Sequence, residues 1–153
     1  RFYVWRATLN SFDTNALESV VADLAHAAEA QPEDAGIAAL LGKAHYEAGN
    51  YRAALLQLRQ TRKRDPGNAI AAELLPQLLF IAANEASRAE DAGEALRLVE
   101  ELIMFQPTLE NRMWRVRLLI ARQRNTQARQ ELRNILYANP DYFPARDLLD
   151  RLR

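Results

Sequence analysis

The chain has 153 residues and carries 20 Lys and Arg against 20 Asp and Glu, so its formal net charge at pH 7 is zero. This length suits one domain with a buried core, and the charge balance argues against a whole-molecule nucleic-acid binder, which usually has a basic excess. The sequence has no cysteine, which excludes a disulfide framework, a thiolate metal site and a cysteine nucleophile.

Composition favours helix along the whole chain. Alanine and leucine dominate, and both lose little side-chain freedom in a helix. The basic residues are arginine except Lys43 and Lys63, a habit typical of GC-rich coding, so we expect a soluble protein of the bacterial cytoplasm or periplasm. No apolar run is long enough for a transmembrane helix, and we expect no membrane span.

The prolines indicate a repeat. The interval from Pro32 to Pro66 and the interval from Pro107 to Pro140 differ by a single position, and the middle interval is longer than the first by seven. Each of these prolines follows a helical run, and proline is a natural stop just past a helix end. The sequence therefore predicts one domain of four repeats and a cap, with boundaries at 1–34, 35–68, 69–108, 109–142 and 143–153.

The first repeat has a truncated first helix, from Phe2 to about Asn10, so we expect the natural boundary to lie upstream of Arg1. Its second helix would be capped by Asp13 or Thr14. One face of that helix is apolar at helical spacing, at Leu17, Val20, Val21, Leu24 and Ala27.

The second repeat is the clearest. It has a Leu-Gly step at Leu41 and Gly42, a turn at Gly49-Asn50-Tyr51, a small and a large residue at Ala54 and Leu58, and Pro66 at its end. In these positions the chain resembles the tetratricopeptide repeat (TPR) family, in which a pair of antiparallel helices recurs with a period of about 34 residues. It departs from the family pattern at Ala38, where Trp is usual, and at His45, where Tyr is common.

The resemblance implies an all-α fold, a right-handed solenoid of antiparallel helix pairs. The residues support the same packing, because Gly42 and Ala54 are small where two helices would cross closely. Larger side chains would fill the space between the helices, at Leu41, Tyr51, Leu55 and Leu58.

The third repeat keeps the apolar face of its second helix, but its first helix is predicted to be longer by seven residues, inserted within Ile70–Arg88. Pro76 stands inside this helix and is expected to kink or interrupt it. The fourth repeat keeps Trp114, and Arg117 and Arg124 replace the two glycines, which predicts a looser crossing. The last segment, with Pro144 near a helix start, suits the capping helix of a solenoid, with leucines on one stripe at Leu148, Leu149 and Leu152.

Nothing in the sequence supports catalysis. It has no G-x-S-x-G, H-E-x-x-H or Walker motif. The two histidines, His26 and His45, fall on different repeats and are interpreted as structural. We therefore predict no enzyme activity, no metal site and no cofactor.

Charge neutrality hides alternating blocks, with net charges of −4 in 1–51, +4 in 52–68, −5 in 69–108 and +5 in 109–153. One interpretation is that neighbouring helices attract each other. The other is an outward basic face in the 112–133 region that binds an acidic partner or a polyanion, formed by Arg112, Arg115, Arg122, Arg129 and Arg133.

In the TPR family the first helices line a concave groove that binds peptides. Carried over by position, the groove residues of the second repeat would be Ala39, Leu40, Lys43, Tyr46 and Glu47. Those of the third would be Glu73, Leu74, Gln77, Phe80 and Ile81, and those of the fourth Trp114, Arg115, Leu118 and Arg122. The partner-binding set is predicted to be Lys43, Tyr46, Gln77, Phe80, Trp114, Arg115, Leu118 and Arg122, which suits an acidic or amphipathic peptide. For Phe80 and Trp114, packing between repeats is the competing interpretation. The family's clamp for chaperone tails is disfavoured, because Ala39 and Lys43 stand where that clamp needs Lys and Asn.

We therefore predict a non-catalytic protein–protein interaction module that binds a peptide or helix of a partner. Three alternatives stay open. The first is that the chain is a regulatory or substrate-docking arm of a larger enzyme or envelope assembly. The second is that it binds polyanions through the 112–133 face. Self-association through the Phe2–Trp5 end is the third.

Overall fold

The computed structural model describes residues 14–152, and within that range the chain forms eight α-helices and no strand. The predicted first helix and the Phe2–Trp5 end lie outside the described residues. The helices are α1 (Thr14–Ala30), α2 (Ala35–Glu47), α3 (Tyr51–Arg64), α4 (Ala69–Arg88), α5 (Ala92–Phe105), α6 (Leu109–Ala121), α7 (Asn125–Ala138) and α8 (Phe143–Arg151). The predicted all-α helical-repeat fold is confirmed.

The helix lengths repeat along the chain. The second helices α3, α5 and α7 each have 14 residues. The first helices α2 and α6 have 13, whereas α4 has 20, a difference of seven residues. Pro76 was expected to kink or interrupt α4, and the helix runs through it without an interruption. Proline in a helix interior removes one backbone hydrogen bond, and the neighbouring Leu75 and Leu78 are fully buried, so packing holds the helix together at this point.

The turn inside each helix pair has one geometry. In each described pair, the residue just before the N-cap of the second helix has a positive φ. These residues are Gly49 (75°), Glu90 (58°) and Gln123 (58°). Each of these residues donates its N–H to the carbonyl three residues back, and the next residue donates to the carbonyl five back. This is the left-handed residue of a helix C-terminus, where glycine is favoured. The position is therefore fixed by the repeat even where the residue is not glycine.

The segment that closes each repeat also recurs. Thr61, Leu102 and Ile135 each accept a backbone hydrogen bond from the residue four positions later, just after the second helix ends, and Ala27 accepts the equivalent bond from Gln31 N–H. Each of these four carbonyls precedes its own repeat's proline by five positions, so the carbonyls and the prolines have the same spacing. The proline intervals and the backbone pattern thus describe the same repeat.

Side chains cap the N-termini of α2, α4, α5 and α6. Asp34 Oδ1 accepts from the N–H groups of Gly36 and Ile37, at 2.8 and 3.0 Å. Asp91 accepts from two N–H groups of α5 in the same way, and Asn68 and Thr108 accept one each at α4 and α6. Such caps satisfy donors that have no partner within the helix.

The chain divides into two units, an N-terminal unit (Arg1–Leu78) and a C-terminal unit (Leu79–Arg153), and the division falls within α4. In the N-terminal unit, α1 packs on α2 and α2 on α3. A cluster of Val20, Leu24, Leu41 and Ala44 joins α1 to α2. At the crossing of α2 and α3, a Cβ on Gly42 would lie 2.7 Å from two carbon atoms of Leu58. The close approach expected at this glycine is present.

In the C-terminal unit, α6 packs on α5 and α7, and α7 on α8. The core is formed by fully buried aliphatic side chains, at Val99, Leu102, Val116, Leu119, Leu132 and Ile135. Helix α8 begins with Pro144 in its first turn and buries Ala145 fully. Leu148, Leu149 and Leu152, expected as the apolar stripe of the cap, are half-buried.

Among the described helices, α4 is long and apolar enough to cross a membrane by length and composition. The core helix of a soluble protein passes the same test. Leu75, Leu78, Leu79 and Ala83 of α4 are fully buried by other parts of the protein. Packing within the repeat fold therefore accounts for part of the apolar character of α4, of whose apolar segment 39% is buried.

Candidate interaction surfaces

Two of the predicted groove residues of the N-terminal unit, Tyr46 and Gln77, come together near the C-terminus of α2. Tyr46 OH donates a hydrogen bond to Gln77 Oε1 at 2.9 Å, which ties α2 to α4. Lys43 is exposed, with Nζ 3.8 Å from Glu47 Oε1. Tyr51, expected in the gap between α2 and α3, is instead 37% exposed, and its ring centroid lies 5.7 Å from that of Tyr46. These contacts place Lys43, Tyr46 and Gln77 on one side of the unit.

A cleft of about 530 Å³ opens at the N-terminal ends of α2 and α4. Its wall is partly apolar and partly made of amide and carboxylate groups. The lining residues are Gln31, Asp34, Gly36, Ile37, Ala39, Leu40, Asn68 and Ile70. Of these, only Ala39 and Leu40 were predicted as groove residues. The others lie in the loops and first turns that precede the groove pattern. The polar Asp34 and Asn68 also cap helices, which is the usual interpretation of a short polar residue at a helix start.

The predicted residues of the C-terminal unit include an exposed aromatic pair. Phe80 of α4 is 52% exposed. Its ring meets the half-buried ring of Trp114 of α6 edge-on, with centroids 5.7 Å apart and an interplanar angle of 72°. This is a favourable aromatic arrangement. The two residues thus pack on each other and still present apolar surface to solvent, and their role in partner binding stays a prediction.

The arginines of the predicted basic face are largely engaged within the C-terminal unit. Arg112 Nε donates to the buried carboxylate of Glu131 at 2.7 Å, and Arg115 Nη1 contacts the other oxygen at 3.4 Å. Arg115 Nε also donates to Glu100 at 3.1 Å. Arg129 donates to the backbone carbonyl of Leu152 at 3.2 Å. These contacts join α6 to α5 and α7, which is the arrangement expected if the alternating charges hold neighbouring helices together.

Two further predicted site residues, Leu118 and Arg122, also belong to the C-terminal unit. Leu118 is only 7% exposed and belongs to the core of the C-terminal unit, so it is not available as a contact residue. Arg122 follows the end of α6, and its guanidinium lies over the first turn of α5, where a Cβ on Gly93 would be 2.5 Å from Nη1.

Neither histidine belongs to a polar site. His26 is exposed, with Nδ1 3.7 Å from Glu29. His45 is half-buried, its Nδ1 has no hydrogen-bond partner among the described residues, and burial lowers its pKa. No group of three or more His, Asp or Glu is placed to hold a metal ion in the part of the chain that the structure describes.

The sequence matches no protein-family model and no curated protein. Among solved structures, a tetratricopeptide repeat protein from Parabacteroides merdae is similar to this chain over its whole length, with a TM-score of 0.52 and 20% sequence identity. The fold is of the TPR type. This chain spans 61% of the length of the solved chain, and at this identity the similarity concerns the fold.

The TPR register of the fourth repeat differs from the one expected. Helix α6 begins at Leu109 and α2 at Ala35, so these two residues occupy the same position of the repeat. By the same offset Gly42 corresponds to Val116 and not to Arg117, and the turn residue Gly49 corresponds to Gln123 and not to Arg124. The expectation was wrong by one residue, because Arg117 is exposed whereas Val116 is fully buried. The positive φ of Gln123, invisible in the sequence, fixes the alignment.

Proposed function

We propose that this chain is a non-catalytic protein–protein interaction module that binds a peptide or helix of a partner on the exposed faces of its first helices. The observation that supports this most directly is the Phe80–Trp114 pair. Isolated exposed apolar residues are normal on protein surfaces, but an exposed aromatic pair offers a large, stiff contact area. Trp and Tyr are enriched among the residues that dominate binding energy.

The charges near this pair favour an apolar or amphipathic segment over a polyanion. Arg115 is already paired with Glu100 and Glu131, and Arg112 shares the buried Glu131. An arginine whose charge is balanced inside the protein contributes little to attraction at a distance. The binding energy would therefore come from the aromatic surface, and the charged rim would set orientation.

The test uses peptides selected from a displayed random library on the wild-type chain. Their affinities are then measured by fluorescence anisotropy on Trp114→Ala, on Phe80→Ala and on Tyr137→Ala. Tyr137 is 92% exposed on the second helix α7, so it is a matched aromatic control. We expect at least tenfold weaker binding for the first two variants, which corresponds to about 1.4 kcal/mol or more, and no change for the control.

Circular dichroism of each variant shows whether the helices are retained. If peptides bind the wild type but lose no affinity in Trp114→Ala and Phe80→Ala, the aromatic pair is not the site. If no peptide is enriched above the level found with an unrelated helical protein, the proposed interaction function itself fails.

A further inference from the structure

A second candidate site lies in the N-terminal unit, at the cleft of about 530 Å³ described above. Its volume is within the range of about 300–1,000 Å³ that is usual for ligand sites. The aliphatic part of its wall is formed by Ile37, Leu40 and Ile70. Leu40 is only half-buried, so part of this apolar wall is open to a ligand. A branched aliphatic side chain fits such a wall.

The charge around the cleft is acidic. Glu33 is paired with Arg64 at 3.3 Å, and Lys43 lies 3.8 Å from Glu47. Asp34 lines the cleft, and Glu73 follows Ile70 by one turn on the same face of α4. Neither carboxylate has an ion-pair partner among the described residues.

The Lys and Arg side chains of this unit do not line the cleft, and the one that reaches its edge, Arg64, is paired with Glu33. Apart from Lys43, those within the described part of the unit all belong to α3, at Arg52, Arg59, Arg62, Lys63 and Arg64. No side chain on the wall of the cleft is basic. Asp34 Oδ1 caps α2, but neither Asp34 nor Glu73 is neutralised by an ion pair among the described residues, and carboxylates beside a low-dielectric wall attract ligands of the opposite sign. The cleft is therefore complementary to a cation beside an apolar group.

The cleft also offers hydrogen bonds to a peptide backbone. Gln31 lies on the cleft wall and is exposed, and its side-chain amide carries both donors and an acceptor. At the C-terminal side, the hydrogen bond between Tyr46 and Gln77 connects α2 to α4. An extended segment would thus meet an amide at one end and the tied helices at the other.

We propose that this cleft binds an extended peptide in which an aliphatic residue adjoins Lys or Arg. The aliphatic side chain contacts Leu40 and Ile70, the basic side chain pairs with Asp34 and Glu73, and Gln31 bonds the peptide backbone. The site is separate from the Phe80–Trp114 pair and prefers the opposite charge to the acidic ligand expected from the sequence.

The test uses two labelled octapeptides, one of alternating leucine and lysine and one of alternating leucine and glutamate. Anisotropy titrations compare the wild type with the double variant Asp34→Asn, Glu73→Gln. Asn is as good an N-cap as Asp, so this variant keeps the start of α2 while removing the charge. Leu40→Gln tests the apolar wall, and Glu18→Gln, an exposed carboxylate on α1, is the matched control.

We expect the lysine peptide to bind the wild type at least tenfold more tightly than the glutamate peptide. The double variant and Leu40→Gln should each weaken it at least fivefold, and Glu18→Gln should leave it unchanged. Equal affinity for the two peptides, no detectable binding of the lysine peptide, or equal losses in the double variant and in Glu18→Gln would overturn the proposal.

Amide chemical shifts separate this site from the aromatic one. Shifts at Leu40 and Ile70 on addition of the lysine peptide support the cleft. Shifts confined to Phe80 and Trp114 would overturn the cleft proposal while leaving the proposed interaction function intact. Trp114→Ala is expected to bind the lysine peptide as the wild type does, whatever its effect on library-selected peptides.

Discussion

Replacement of Gly42 by alanine tests whether the crossing of α2 and α3 is as close as the structure shows. The new Cβ would lie 2.7 Å from both Cγ and Cδ2 of Leu58 and 3.3 Å from Cβ of Gln57. Carbon atoms pack best at about 3.5–4.0 Å. Leu58 is fully buried, so it has no free space into which to move by the ångström required.

Two opposing effects decide the magnitude. Extra carbon in a packed core costs about 1–3 kcal/mol, whereas alanine in a helix interior is better than glycine by about 1 kcal/mol. We expect a net destabilisation of about 1 kcal/mol from Gly42→Ala. Leu58→Ala alone should cost about 2–5 kcal/mol, because it empties a buried site.

The double-mutant cycle gives the decisive measurement. With Leu58 truncated the clash disappears, so Gly42→Ala should then stabilise by about 1 kcal/mol, and the sign of its effect should reverse. Urea denaturation followed by circular dichroism measures all four proteins. Ala22→Gly, at an exposed position inside α1, controls for helix propensity. A stabilising Gly42→Ala in the wild type, or the same effect in both backgrounds, would refute the close crossing.

Four further outcomes are expected, each measured by the free energy of unfolding. Gly49→Ala should destabilise the protein by about 1 kcal/mol, because Gly49 has a φ of 75°. At the matching turn Gln123 has a φ of 58°, so Gln123→Gly should stabilise the protein by up to about 1 kcal/mol. A stabilising Gly49→Ala or a destabilising Gln123→Gly, measured from denaturant midpoints, would contradict the turn geometry. Glu131→Gln should lower the free energy of unfolding by about 1–3 kcal/mol, because it removes the buried negative charge that pairs with Arg112 and Arg115. An unchanged free energy of unfolding, in thermal or urea denaturation, would show that water solvates both arginines instead. Burial lowers the pKa of His45 from 6.5, so the folded protein binds the proton less readily than the unfolded chain does. The stability of the wild type should therefore fall, relative to that of His45→Gln, as the pH drops below 6.5. Parallel profiles of stability against pH for the two proteins would contradict this.

The fold follows from the sequence because its signals are periodic. Apolar residues at helical spacing and prolines at near-constant intervals are local features that recur in each repeat. The seven extra residues placed within Ile70–Arg88 correspond to the 20-residue length of α4. Pro76 does not interrupt α4, since tertiary packing around buried neighbours outweighs one missing hydrogen bond.

The candidate sites follow less well, because they depend on the depth at which a side chain lies. The position of Leu118 on a first helix says nothing about its 7% exposure, and the arginine spacing does not reveal that Glu131 takes up Arg112 and Arg115. The cleft was missed for a different reason. Asp34 and Asn68 have an obvious use as helix caps, and their place on a shared wall appears only once α2 and α4 are placed in three dimensions.

The second helices and the turns are the constant part of this protein, and the first helices are the variable part. Lengths of 14 residues and the positive-φ turn recur in every described pair. The seven-residue difference, the Phe80–Trp114 pair and the lining residues of the cleft that lie within helices all belong to first helices. Exposed side chains on those faces make few contacts with the core. Substitutions there should change recognition with little loss of stability, whereas substitutions at the turns should do the reverse.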